Sequence, residues 1–210
     1  MNKPLLLVLV LLTVAWYLWN PALTAPLATE LATLVDEPSG FSPGVSIRRP
    51  PLQSNLDNPA VVEVGEYDLT LIADFQIEAL VLGRRDYRRG DEATLSPIDL
   101  ALGWGPMARQ EVVDQIDIRQ RGRFYFWEVE SYPIERSAII GNSANMHLIP
   151  ASPAVFGELQ RADTNSQVRL RGFLVNVERE DGWYWRTSTN RTDSGNGACE
   201  LFLVTRAEVF

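Results

Sequence analysis

Lysine is almost missing from this chain of 210 residues: Lys3 is the only one, and the other eighteen basic residues are arginines. The formal net charge is −8. That argues against a protein whose whole surface grips nucleic acid, because polyanion binding leans on Lys and Arg at phosphates. Cysteine and histidine each occur once, as Cys199 and His147. A single cysteine excludes an intramolecular disulfide and any multi-cysteine metal site. A single histidine excludes a site built on two imidazoles. Neither a metal nor another cofactor is therefore expected. No internal repeat or low-complexity tract is found. The remaining composition is that of an ordinary globular protein, with enough apolar residues for a real core.

Charge is also missing from the N-terminal stretch. After Lys3 no charged residue occurs until Glu30. The densest apolar part, Leu5 to Trp19, has the length of a signal-peptide core, and Pro4 to Leu23 reaches the ~20 residues of a spanning helix. Trp16, Tyr17 and Trp19 cluster at its far end, where amphipathic rings prefer the lipid–water boundary. Residues 1–23 thus read as an uncleaved signal-anchor, with membrane contact through 4–23. A removed signal peptide, cut near Leu23-Thr24-Ala25, is the alternative. One cation before the span puts the N-terminus in the cytoplasm and the bulk of the chain in the periplasm of a bacterial inner membrane. Cleavage would instead release it.

Residues 24–60 read as a linker. Seven of the thirteen prolines lie between Pro21 and Pro59, and proline fixes φ and removes ladder donors. Residues 61–210 form one domain. YDLTLIADFQIEALVL (67–82) alternates strictly, which marks a long half-buried strand. In LSPIDLALGWGPM (95–107), Ser96 suits a helix N-cap, Pro97 the first helical position and Asp99 the capping-box acid. A short second helix is expected over 107–116. RFYFWEVE (123–130) carries rings on both faces and reads as a central strand. Residues 146–149 make a short strand, and Ser152-Pro153 opens a helix to about Arg161. VRLRGFLVNVE (168–178) is a strand whose apolar set changes face at Gly172, as at a barrel corner. Trp183–Thr189 and Ala198–Val204 complete the set as a hairpin around RTDSGNG.

The expected fold is mainly β with short helices (α+β): an OB-like small β-barrel with a helical insertion after strand 1, preceded by one N-terminal transmembrane helix. A helix between the third and fourth strands of a closed sheet suggests the barrel. A generic α+β roll is the competing arrangement.

Three functional readings stay open. A non-catalytic binding module needs no polar cleft at His147; its ligand-binding candidates are Trp183, Trp185 and Arg186, a stacking surface if the rings face outward. A hydrolase or transferase would use His147 as a general base, with Asp99, Asp193 or Glu200 to orient it or Cys199 as nucleophile. That reading requires a cleft. Single-strand nucleic-acid binding would need exposed tryptophans beside a continuous arginine groove, against the net charge. A protein partner or a small ligand fits the first reading.

At SANMHLIPA (143–151), LSPIDLALGWGPM and DSGNGACEL, the chain resembles a family of bacterial membrane-anchored or exported proteins of no assigned activity. The resemblance covers roughly residues 67–205. It implies a membrane segment or signal followed by one exported domain, and no site residues carry over. The family often has His where this chain has Asn142, which weakens a metal reading further.

Overall fold

The computed structural model describes residues 40–190 and 199–210. The expected membrane segment and the whole RTDSGNG turn, Asp193 included, lie outside the described residues. Among those described, no helix is long and apolar enough to cross a membrane.

The protein is mainly β. Its strands are β1 (Leu52–Asn55), β2 (Val61–Val64), β3 (Tyr67–Asp86), β4 (Ile98–Gly103), β5 (Asp117–Arg121), β6 (Phe124–Glu128), β7 (Ser143–Pro150), β8 (Gln167–Glu178), β9 (Tyr184–Trp185) and β10 (Glu200–Val209). Among the described residues four short α-helices intervene, α1 (Asp91–Leu95), α2 (Gln110–Val113), α3 (Arg136–Gly141) and α4 (Pro153–Leu159), with one 3-10 turn at Gly105–Ala108. Hydrogen bonding runs from β3 to β4, β7, β10, β8 and back to β3, so five strands close a ring. The β7/β10 pair is parallel and the others are antiparallel. β1 and β2 add to β3, and β9 adds to β8. Residues 40–60, read above as linker, run against this sheet: β1 pairs with β3, and Gly105 N donates to the Ile47 carbonyl at 2.7 Å.

Alternation explains the core. Phe75, Ile77, Leu100, Met146, Leu170 and Phe202 meet in a first cluster, closed at one end by α4. Ser152 Oγ caps α4 by accepting from Val155 N, as its Ser-Pro start predicts. On β3 a register shift between Leu71 and Ala73 splits the apolar set. Tyr67, Leu69 and Leu71 join a second cluster with Val175, Val177, Leu201 and Leu203. β8 runs through Gly172 without a register shift of its own, since the shifts fall on β3 and β10, and its apolar set does not simply change sides. Leu174 stays in the first cluster while Val175 and Val177 enter the second, so both faces are buried beyond Gly172. Gly172 is required there: a Cβ would lie 1.9 Å from the Leu203 carbonyl oxygen.

Three expectations are corrected. LSPIDLALGWGPM is not a helix; residues 98–103 are strand β4, every one of them buried. A strand covered on both faces loses its alternation, and Ser-Pro-x-Asp then imitates a helix start. RFYFWEVE is not central. It supplies β6, paired only with β5 in a separate two-stranded sheet with one open face. This hairpin and α2 and α3 lie between β4 and β7. The large insertion therefore follows the second ring strand, and only α1 follows the first. Finally, the strand expected at 183–189 is the two-residue β9, which pairs with β8 rather than β10.

Candidate functional site

Strand pleating puts Asp99 of β4 and His147 of β7 side by side on the outer face of the ring, in direct register. Both are sealed: Asp99 is 0% exposed and His147 2%. Asp99 is thus not a capping-box acid, because its backbone is a strand.

Its partner comes from the β5–β6 turn. Gly122 and Arg123 have φ of 57° and 70°, the pair of positive values that a type I′ hairpin turn demands. A non-glycine residue in that region is uncommon. Here the conformation aims Arg123 inward. Its Nη1 donates to Asp99 Oδ1 at 2.6 Å and its Nη2 to the Ser96 carbonyl at 2.9 Å. The guanidinium lies 3.7 Å over the Tyr87 ring, whose hydroxyl accepts from Arg123 N at 3.1 Å. Burial first, then the Asp99 charge, raises the Tyr87 phenol above its ordinary value.

A ladder continues along the same face. Gln120 Nε2 donates to Asn145 Oδ1 at 2.7 Å, and Asn145 Nδ2 donates to the Arg123 carbonyl at 3.1 Å. Tyr125 donates to Ser143 Oγ at 2.6 Å, and Ser143 passes its own proton to the Ile139 carbonyl at 2.7 Å. Burial pushes the Tyr125 phenol up to about 12. These bonds seat the hairpin on β4 and β7.

His147 Nδ1 lies 3.0 Å from Asp99 Oδ1. The approach is off the line of a hydrogen bond, and Nδ1 has no hydrogen-bonding partner. Trp185 covers the imidazole, centroid to centroid 4.8 Å. Cys199 Sγ meets the Arg123 carbonyl at 3.8 Å and so borders the same cluster. Glu200 pairs in register with Met146 and points with it to the opposite face. Of the residues named from sequence, Asp99, His147, Cys199 and Trp185 converge, and Glu200 does not.

Trp183 and Trp185 are half-buried against the second cluster. Trp183 meets Tyr67 edge-on at 5.7 Å. Arg179 joins the β8–β9 turn to α1, with Asp181 at 2.7 Å and Asp91 at 3.0 Å. Those two carboxylates raise its pKa, and Arg179 holds Asp181 below the usual carboxylate range. Arg186 pairs with Glu178. Among the described residues both indole rings are thus half-buried, and Arg186 is paired. Among the described residues no group of three His, Cys, Asp or Glu is arranged to hold a metal ion.

Sequence reasoning missed Arg123, Tyr87, Ser96, Asn145 and Tyr125. The signal for the turn was present, because DIRQR and FYFWE flank a two-residue Gly-Arg loop. Nothing local ties Arg123 to Asp99. Compared with known family models, curated proteins and solved structures, the chain finds no match.

Proposed function

We propose that the chain is a non-catalytic binding module, an OB-like barrel held at the periplasmic face of a bacterial inner membrane by residues 4–23. The five-strand ring and the placing of α4 between its third and fourth strands support the barrel reading. The apolar, ring-ended N-terminus supports the tether, as does the resemblance to exported proteins. The observation that carries the non-catalytic reading is the sealing of the only histidine. His147 lies under Trp185, beside a carboxylate already neutralised by Arg123. A general base needs a path to substrate, and this imidazole is spent on packing. A protein partner or small ligand would meet the exposed surface instead.

One observation favours the hydrolase or transferase reading: the 3.0 Å approach of Asp99 to His147. It meets the orienting half of that reading and leaves the cleft unmet. His147→Ala in the full chain separates the two. As a structural residue, its loss lowers Tm by about 4 °C or more, and any deletion phenotype returns in proportion to the protein left. An unchanged Tm with a lost phenotype would establish a reaction at His147. In the same strain the full-length chain is expected in the membrane fraction; recovery from cytosol alone overturns the tether.

A further inference from the structure

The outer face of the β5–β6 hairpin leaves two aromatic rings uncovered. Its three cross-strand rungs pair Arg121 with Phe124, Arg119 with Phe126, and Asp117 with Glu128. Phe124 is 37% exposed and Phe126 53%, with their rings 6.4 Å apart. Exposed rings flanked by polar residues mark interaction surfaces.

The charges on the two sides of those rings are opposite. The tip carries Arg121, which no carboxylate reaches among the described residues. The base carries Asp117 directly across from Glu128, a like-charge rung that costs stability by itself. Arg119 neutralises Asp117. The same guanidinium also feels the Glu128 charge, but one cation is left to serve both carboxylates. A depression at this end is lined by Asp114, Asp117, Glu128 and Glu130. The surface therefore reads basic, aromatic, acidic from tip to base.

Such a pattern is complementary to itself. We propose that this face binds a second copy of the chain about a two-fold axis crossing the strands at the Arg119/Phe126 rung. Turning one hairpin about that axis lays its tip on the other's base. Arg121 of each copy enters the acidic depression of the other, Phe126 meets Phe126 on the axis, and Arg119 faces Arg119 there with each guanidinium held by its own Asp117. An isologous interface requires this reciprocity. Each Asp117 then lies between its own Arg119 and the second copy's Arg121, and the strained acidic rung gains a cation. The pairing does not depend on the membrane tether or on the absence of a reaction at His147.

Six side chains cover less than the ~800 Å² per partner of a stable complex. The pairing is therefore weak, and crosslinking reads it better than sedimentation. In full-length protein carrying Cys199→Ser, Arg119→Cys places a thiol on the axis and keeps both phenylalanines. Tyr184→Cys is the control, since the Arg119 side chain is 66% exposed and Tyr184 67% exposed. The thiol on the axis should form intermolecular disulfide about tenfold faster than the control. Adding Arg121→Glu, or Asp117→Arg with Glu128→Arg, should abolish that advantage, and all three changes together should restore it. Equal rates at the two thiols overturn the proposal. So does a charge swap that fails to restore crosslinking. Loss of the advantage when phospholipid vesicles are added would assign the rings to lipid and overturn it as well.

Discussion

On their inner face, β4 and β7 present Leu100, Leu102, Met146 and Leu148 to the first cluster. On their outer face, the same two strands present Asp99 and Asn145 to the β5–β6 hairpin and His147 to Trp185. Both faces are closed to water. The inner contacts are non-directional and additive with area. The outer contacts are few, charged and aligned, and each group needs its particular partner. One face supplies stability. The other fixes where the hairpin sits, at the expense of desolvating Asp99 and Arg123.

The comparison is broken most severely from inside. Phe202 is fully buried and meets Phe75 edge-on at 5.1 Å. Phe202→Ala should cost about 4 kcal/mol, from lost transfer energy and the cavity left behind. Against the ~5–15 kcal/mol of a whole domain, that is a large share of the total and should lower the midpoint of denaturant unfolding markedly. A loss under about 1 kcal/mol would mean that the ring interior is not a packed core.

On the outer face, removing one partner should differ sharply from removing both. Asp99→Leu strands the Arg123 guanidinium, whose side chain is only 12% exposed, and should cost about 3 kcal/mol. Asp99→Leu with Arg123→Met replaces an ion pair by an apolar pair and should recover most of it. Denaturant midpoints of Asp99→Leu, Arg123→Met and the double variant measure the coupling. Additive losses in the double variant would contradict the pairing of these two side chains. Hairpin position provides the second readout: the double variant recovers stability yet exposes Tyr125 to quenchers.

Legibility in the sequence followed the same division. β3 and α4 were readable because each shows an apolar alternation, or a cap, within its own length, and β8 because Val168 and Leu170 alternate with arginines before Gly172. β4 was not, because Leu100, Ala101 and Leu102 are all buried and no polar side remains to set the period. β6 misled in the opposite sense. Rings on both faces suggested double burial, yet Phe124 and Phe126 point to solvent while Tyr125 and Trp127 point inward. The site was half legible. His147 and Asp99 could be named as a pair of candidates, but the bond from Arg123 to Asp99 spans 24 residues and a turn with two positive φ angles. Only the folded register brings them together.

Alkaline pH offers the gentlest test of the outer face. The Tyr125 phenol is pushed up to about 12 by burial, against about 10 in an unfolded chain. Below pH 10 both states keep the proton and the seat on Ser143 is intact. Between roughly pH 10 and 12 the unfolded chain ionises first, so stability falls as pH rises, by roughly 2 kcal/mol for this group. Tyr67 and Tyr87 are raised for the same reason, burial, and add to the slope with the same sign. Tyr125→Phe should cost about 1 kcal/mol at neutral pH, the worth of one hydrogen bond. Above pH 10 it should lose less than the parent, so the two stability curves converge. Parallel curves from pH 9 to 12 would mean that Tyr125 is not held against β7. The hairpin would then rest on its apolar contacts, and the outer face would resemble the inner one after all.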